Sequence, residues 1–174
     1  MQICKTILVV LTSVSVLAGC GPDPEQEKRQ RELLEQALND DTRKAGDAYL
    51  AENAKRAEVS VLDSGLQIEL LVKGEGESPT AADTVLVHYE GRLVDGHVFD
   101  SSYERDKPAR FPLKQVVRGF RQGLIKMHEG GTAMLYMPPE LAYGATSPSP
   151  DIPANSSLIF KVELIEVLAN EETE

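Results

Sequence analysis

The sequence VHYEGRLVDGHVFDSS at residues 87–102 has the pattern of a β-hairpin. Its first part is β-branched and aromatic, which places Val85, Val87 and Tyr89 on one face of a strand. The dipeptide Asp95-Gly96 predicts the turn, because glycine tolerates a positive φ and an aspartate side chain can bond its own backbone. The hairpin therefore determines which side chains of the two strands share a face.

An aromatic residue and a carboxylate stand side by side where the returning strand ends, as Phe99 and Asp100. A second aromatic residue, Tyr89, lies on the preceding strand. Aromatic walls with a few polar groups are typical of ligand pockets. We therefore expect an aromatic-lined pocket with one polar group at its edge.

Further motifs accompany the hairpin in a fixed order across residues 66–167. Together they resemble the FKBP-type peptidyl-prolyl cis-trans isomerases. The resemblance implies an isomerase domain at residues 66–168 with the fold of that family, and catalysis of X–Pro bond isomerisation in exported proteins. The motifs are VHYEGRLVDGHVFDSS at 87–102, VRGF at 117–120, EGG at 129–131, PPELAYG at 138–144 and LIFKVEL at 158–164.

The periodicity of apolar residues predicts several strands and one helix in this region. Between Arg118 and Met127, apolar residues at positions i, i+4 and i+7 mark a short amphipathic helix. The main strand-like segments are 67–73, 84–89, 133–137 and 157–168. We therefore expect an α+β fold, a curved antiparallel β-sheet wrapped on one short helix and preceded by an N-terminal helical segment.

Composition excludes several classes of function. The chain of 174 residues has a net charge of −10 and no basic run, which argues against a nucleic-acid partner. Its two cysteines, Cys4 and Cys20, precede the domain, so the domain has neither a disulfide framework nor a thiol nucleophile.

No metal site or cofactor is expected from the sequence. The histidines at 88, 97 and 128 are scattered and have no cysteine partners, unlike zinc ligands. His88, on a strand, is expected to be a hydrogen-bonded core residue. The turn at residues 74–79 lacks the lysine and helix start of a phosphate-binding loop.

Residues 1–19 have the pattern of an export signal, with an apolar run too short for a transmembrane helix. The sequence LAGC ending at Cys20 resembles a bacterial lipobox, which implies acylation of Cys20 and a tether at residues 20–24. The alternative is an ordinary secretory signal that happens to end at a cysteine. Gly21 after the cysteine implies the outer membrane rather than the inner one, with the domain facing the periplasm.

Residues 25–57 are helical in composition, with a thin apolar stripe of Leu34, Leu38, Ala45 and Ala48. Residues 39–42 predict a break that divides the segment into two helices. One of these four residues is expected to be the N-cap of the second helix. The segment around Ala48 resembles the one before the catalytic domain in macrophage-infectivity-potentiator-like relatives. That resemblance implies a homodimer through residues 25–57, and the alternative is a spacer that lifts the domain off the membrane. Residues 169–174 form an acidic tail.

The resemblance also assigns roles to individual residues. Phe120 is expected to form the floor of the pocket and Phe99 and Phe160 its walls, while the Tyr143 hydroxyl and the Val117 N–H hold substrate carbonyls. Asp100 is expected at the rim, paired with Arg105. The predicted catalytic residues are Tyr89, Phe99, Asp100, Tyr143 and Phe160, and the predicted substrate-binding residues are Arg105, Val116, Val117, Phe120 and Ile152.

Some positions depart from the family pattern. Ala109 stands where a pocket aromatic is usual, which predicts one thinner wall, and Asp151 replaces an apolar residue. These departures concern affinity for macrolides and sequence preference more than catalysis. The alternative to an enzyme is a chaperone-like binding module that holds proline-containing or unfolded chains in the same pocket with little turnover.

Overall fold

The computed structural model describes residues 24–38 and 40–168. The predicted export signal, the predicted tether up to Asp23, the predicted acylation site Cys20 and the acidic tail at 169–174 lie outside the described residues. Among the helices of the described ranges, none combines the length and apolar character needed to cross a bilayer.

An antiparallel β-sheet forms the centre of the molecule. The strands are β1 (Val59–Val61), β2 (Gln67–Val72), β3 (Thr84–Leu93), β4 (Val98–Ser101), β5 (Ala109–Pro112), β6 (Thr132–Met137) and β7 (Leu158–Leu168). The helices are α1 (Pro24–Leu38), α2 (Asp41–Asn53) and α3 (Arg118–Leu124), with a single 3₁₀ turn at Pro139–Leu141. The strand order is β1-β2-β6-β7-β3-β4, and β5 also pairs with β3. The predicted α+β class is confirmed.

The predicted hairpin is present. Val85, Val87 and Tyr89 of β3 are buried, and the residues between them are only partly so. At the turn Gly96 has a φ of +94°, and the Asp95 carboxylate accepts a hydrogen bond of 2.9 Å from the His97 N–H. The turn therefore uses both properties that the dipeptide offers.

Helix α3 covers one face of the sheet. Phe120 and Leu124 are buried on it, and Met127 just after it is fully buried. These side chains pack into one core with the inward residues of β3, β6 and β7, among them Leu135 and Val162. The i, i+4, i+7 pattern correctly identified the buried face of this helix.

Helix α2 covers the opposite face of the sheet. Its Leu50 packs into a small cluster with Met134, Tyr136 and Ile159, which come from β6 and β7. The expected apolar stripe is wrong for α2, because Ala45 and Ala48 are exposed and the buried positions are Gly46, Leu50 and Asn53.

The break between α1 and α2 is confirmed, and Asp40 is the N-cap of α2. Its carboxylate accepts a hydrogen bond of 2.9 Å from the Thr42 N–H, which satisfies a donor that a helix start otherwise leaves unpaired. That bond, together with one from Asn155, lowers the pKa of Asp40.

Polar contacts fasten α2 and the chain after it to β2. The Asn53 amide donates to the Gln67 side chain at 2.8 Å, and Gln67 in turn donates to the Leu50 carbonyl at 2.8 Å. Next to them the Glu69 carboxylate accepts from Arg56 at 2.6 Å and from the Tyr136 hydroxyl at 2.8 Å. Buried polar groups of this kind are stable only when they are paired, and all of these are.

Ionisation in this group follows from its geometry. Burial, reinforced by the bond to Glu69, raises the pKa of Tyr136 to about 12. Burial also opposes the charged form of Glu69, but the bonds from Tyr136 and Arg56 outweigh it and lower the pKa of that carboxyl. Glu69 is therefore a carboxylate held by two donors.

His88 differs from its predicted place in the core. It lies half-buried on β3, where its ring stacks on Tyr103 with centroids 4.8 Å apart. Its Nδ1 lies 3.0 Å from the Ser102 hydroxyl, so the residue is hydrogen-bonded as expected. The alternation of β3 explains its position, because Val87 and Tyr89 on either side face the core.

Candidate active site

A cavity of about 400 Å³ opens beside α3, between β3, β4, β5 and β7. Aromatic and aliphatic side chains form most of its wall, and a few polar groups stand at its edge. The lining residues are Tyr89, Phe99, Asp100, Arg110, Phe111, Pro112, Gln115, Val116, Val117, Phe120, Tyr143 and Phe160. This composition is that of a small-molecule or peptide site.

Phe120 lies at the centre of the aromatic cluster. Its ring is edge-on to Phe160 at 5.1 Å, to Phe111 at 5.8 Å and to Tyr89 at 6.3 Å between centroids. Edge-to-face contacts of this kind are favourable and fix the orientation of each ring. Phe120 is only 4% exposed and lies in the cavity lining, surrounded by the other rings.

Phe99 and Phe160 form adjoining walls, and Gly91 of β3 lies beneath their contact. A Cβ at position 91 would come within 2.6 Å of the Phe99 ring and 2.7 Å of the Phe160 ring. Any side chain there would force the two rings apart. The absence of a side chain at Gly91 therefore sets the shape of this part of the cavity.

A polar triad borders the cavity at Asp100. The Tyr89 hydroxyl donates to one oxygen of Asp100, and Arg105 donates to the other at 2.5 Å. Arg105 also donates to the Tyr89 oxygen at 3.0 Å and lies over the tyrosine ring, 5.8 Å from its centroid. Asp100 and Arg105 are thus paired at the rim, as predicted.

Burial, together with the bond to Asp100, raises the pKa of Tyr89 to about 12. The Tyr89 phenol therefore stays protonated at neutral pH. Its hydroxyl hydrogen is donated to Asp100, and the group does not titrate in that range.

Among the hydrogen-bond donors of the cavity wall that have no partner within the described residues are the two that the family resemblance assigns to substrate carbonyls. One is the backbone N–H of Val117, which stands immediately before α3, and the other is the Tyr143 hydroxyl. Tyr143 is 40% exposed and reaches the cavity from the segment after the 3₁₀ turn. Both donors are therefore available to carbonyl groups of a bound chain.

The structure brings together every predicted site residue of the domain except Arg105 and Ile152. Arg105 is exposed and reaches the site only through Asp100 and Tyr89. Ile152 is 6% exposed and packs in the main core, outside the cavity lining. Within residues 24–38 and 40–168 no group of acidic, histidine or cysteine side chains could hold a metal ion.

Sequence analysis missed Phe111. Strand β5 pairs with β3 so that Phe111 lies opposite Val85 and Ala109 opposite Val87. The Phe111 ring contacts Tyr89 at 5.2 Å and lines the cavity, whereas Ala109 does not. The signal was present, because Phe111 is two positions after Ala109 on a strand and therefore shares its face.

Comparison with known families agrees with this geometry. Residues 75–165 match the model of the family described as FKBP-type peptidyl-prolyl cis-trans isomerase. Residues 13–70 match the model described as the domain amino-terminal to FKBP-type peptidyl-prolyl isomerase. The two matches together cover both the cavity and the helices before it.

Individual relatives are similar over most of this chain. The peptidyl-prolyl cis-trans isomerase Mip of Coxiella burnetii is 48% identical over 120 residues, which are 69% of this chain and 52% of the relative. The outer membrane protein MIP of Legionella longbeachae is 41% identical over 140 residues, 80% of this chain and 59% of the relative. The crystal structure of FkpA from Escherichia coli superimposes with a TM-score of 0.73 at 39% identity, covering 83% of this chain and 66% of that one.

The chain spans little more than half the length of these two curated relatives. The matched part nevertheless includes the complete cavity wall, since the family match begins before β3 and ends within β7. The chain belongs to the family of FKBP-type peptidyl-prolyl cis-trans isomerases.

Proposed function

We propose that this protein catalyses the cis–trans isomerisation of X–Pro peptide bonds. The observation that supports this most directly is the aromatic cavity itself, closed at its floor by Phe120 and bordered by the unpaired Val117 N–H and Tyr143 hydroxyl. Rotation about a peptide bond must break its partial double bond, across a barrier of about 18–20 kcal/mol. Catalysis therefore requires only that the twisted state be favoured over the planar one.

A dry aromatic site has this property. The planar amide has more charge separation than the twisted amide, so removal of water disfavours the planar ground state relative to the transition state. Phe99 and Phe160 would enclose the proline ring above Phe120. The Val117 N–H and the Tyr143 hydroxyl would hold carbonyls on the two sides of the rotating bond. No step requires a proton to move.

In this mechanism Asp100 and Arg105 hold the cavity wall in place and do not contact the rotating bond. Their bonds fix the Tyr89 ring, which contacts Phe111, Phe120 and Phe160. A substrate thus meets a wall whose rotamers are already locked, which reduces the entropy lost on binding.

The test is a protease-coupled isomerisation assay with the full chain and a short X–Pro peptide. The proposal predicts a rate that rises in proportion to enzyme concentration. Binding of the peptide without any acceleration would instead favour the chaperone-like binding module.

We also propose that the protein acts on exported polypeptides from a lipid anchor at Cys20, at the outer membrane and facing the periplasm. The lipobox-like LAGC sequence and the name of the Legionella longbeachae relative, an outer membrane protein, support this. Several acyl chains on one residue give stable attachment where a single chain is marginal. Cys20→Ser should move the protein from the detergent phase to the aqueous phase, and a wild type already in the aqueous phase contradicts the anchor.

A homodimer through residues 25–57 remains a prediction. The apolar face of α2 is already used against its own sheet, so a dimer contact in this segment would have to come from α1. In α1 the side chain of Leu33 is 63% exposed. Sedimentation of the full chain and of Leu33→Glu tests this contact, since only a dimer through α1 would dissociate in the variant.

A further inference from the structure

Helix α2 contacts the segment at residues 139–157, which carries Tyr143 to the edge of the cavity. The contacts are made from the first two turns of α2, on the side of the sheet away from the cavity. They are separate from the apolar cluster around Leu50. Three independent contacts join the helix to this segment.

The first contact is an ion pair from Arg43 to Glu140. One terminal nitrogen of the guanidinium donates to the Glu140 carboxylate, while its Nε donates to Asp47 on the next turn of the helix at 2.9 Å. The Arg43 side chain is 19% exposed, whereas that of Glu140 is 57% exposed, so water reaches the pair from the Glu140 side. Glu140 lies three positions before Tyr143.

The second contact connects the N-cap of α2 to the residue after Tyr143. Asp40 accepts a bond of 3.3 Å from the Asn155 side chain, and the Asn155 N–H donates to the Gly144 carbonyl at 2.8 Å. The Gly144 N–H then donates to the Pro139 carbonyl at 2.8 Å. Asn155 has a φ of +61°, a conformation that asparagine tolerates better than most residues.

The third contact is a close approach of the α2 backbone at Gly46 to the side chain of Ser157. A Cβ at Gly46 would lie 2.4 Å from the Ser157 hydroxyl and 2.9 Å from the Ser157 Cβ. Ser157 is buried at this contact. Only glycine therefore allows α2 to lie this close to the end of the segment.

We propose that α2 positions Tyr143, with Asp40 and Arg43 as positioning residues that hold both ends of the segment which carries it. The inference rests on the proposed function, in which the Tyr143 hydroxyl binds a substrate carbonyl. Without these contacts the segment samples other conformations, and apparent affinity falls by the fraction of time that Tyr143 is in place.

Amide hydrogen exchange in the full chain tests the positioning without reference to activity. Asp40→Ala, Arg43→Ala and Gly46→Ala should each accelerate exchange at Gly144 and Asn155 by about tenfold, with Val162 in the core strand β7 unchanged. Asp47→Ala is the matched control, because it removes the other partner of Arg43 and leaves the bond to Glu140. Unchanged exchange at Gly144 and Asn155, or an equal rise at Val162, overturns the proposal.

Isomerisation kinetics then test whether the positioning acts through Tyr143. Arg43→Ala should lower kcat/KM about threefold, mainly through KM, and have almost no effect in a Tyr143→Phe background. Equal losses in both backgrounds would show a general structural role and overturn the proposal. A wild type with no isomerase activity would refute the proposed function, while the exchange measurement would still decide the positioning.

Discussion

The rings of Phe99 and Phe160 meet edge to face, with centroids 5.6 Å apart and planes at 82°. They belong to β4 and β7, which flank β3 on its two sides. The residue of β3 opposite Phe160 is Gly91. Two walls of the cavity can therefore meet across an intervening strand because that strand has no side chain at this point.

Replacement of Gly91 by alanine should impair activity more than folding. The new methyl group would overlap both rings and push the walls apart, so we expect kcat/KM to fall by about tenfold or more, a loss of about 1.4 kcal/mol in transition-state binding. Gly76→Ala is the control, because its Cβ would meet Glu129 at 2.6 Å, outside the cavity lining. Equal activity of Gly91→Ala and wild type would contradict the assigned wall.

The isomerisation rate on a peptide without titrating groups should be nearly constant between about pH 6 and 8. Burial and the bond to Asp100 raise the pKa of Tyr89 to about 12, so its hydroxyl stays protonated throughout this range. No other group of the cavity has to change protonation in the proposed mechanism. A bell-shaped profile of kcat/KM in this range would show that an acid or a base takes part.

Glu69 should make the free energy of unfolding decrease at acidic pH. Its carboxyl has a lower pKa in the folded protein than its ordinary value of 4.5, so the unfolded chain binds a proton more readily. The stabilisation is therefore complete above pH 4.5 and is lost as pH falls through the folded pKa. Glu69→Gln should be less stable than wild type at pH 7 and lose less stability on acidification.

Urea denaturation of both proteins between about pH 7 and 3 measures this difference. Glu166→Gln is a suitable control, since Glu166 is exposed at the end of the same sheet. The account of Glu69 is wrong if the two variants lose stability in parallel as the pH falls.

The fragment 40–174 should be about as stable as the full chain, and the fragment 58–174 much less so. Removal of α2 exposes Met134, Tyr136 and Ile159, which are at most 8% exposed. Full burial of one large apolar side chain contributes about 1.5–3 kcal/mol, which is a large part of the 5–15 kcal/mol typical of a domain. We therefore propose that the folding unit begins at Asp40 rather than at residue 66.

Thermal unfolding of the two fragments tests this boundary. No residue of α2 lines the cavity, so the folded fraction of fragment 58–174 should still isomerise a short peptide, with the weaker binding expected when the α2 contacts that position Tyr143 are lost. Equal melting temperatures for the two fragments would restore the boundary expected from the sequence.

The sequence placed residues of the cavity lining correctly where a motif agreed with a strand or helix period. Tyr89 was placed by alternation along β3, and Phe120 by the helical spacing of Leu124 and Met127. Phe111 was missed because its strand is short and the family motif drew attention to Ala109. The pairing of β5 with β3 and the contact of the Phe111 ring with Tyr89 place Phe111 at the cavity.

The packing of α2 could not be predicted from apolar residues alone. Its buried face contains Gly46, which permits close approach to Ser157, and Asn53, which bonds to Gln67. Glycine and asparagine do not indicate a core face in a sequence. Alanine does, but Ala45 and Ala48 are exposed here. The surface of the sheet that α2 packs against, which includes the polar Gln67, determines which residues of the helix can be buried.

The central claim is that the cavity catalyses by its shape and dryness rather than by proton transfer. The most direct measurement is kcat/KM of wild type, Phe99→Ala and Tyr143→Phe on one short X–Pro peptide. Tyr143→Phe removes one hydrogen bond, worth about 0.5–1.5 kcal/mol, and should cost at most about tenfold. Phe99→Ala opens the wall to water and should cost more, and a larger defect in Tyr143→Phe than in Phe99→Ala would contradict the account.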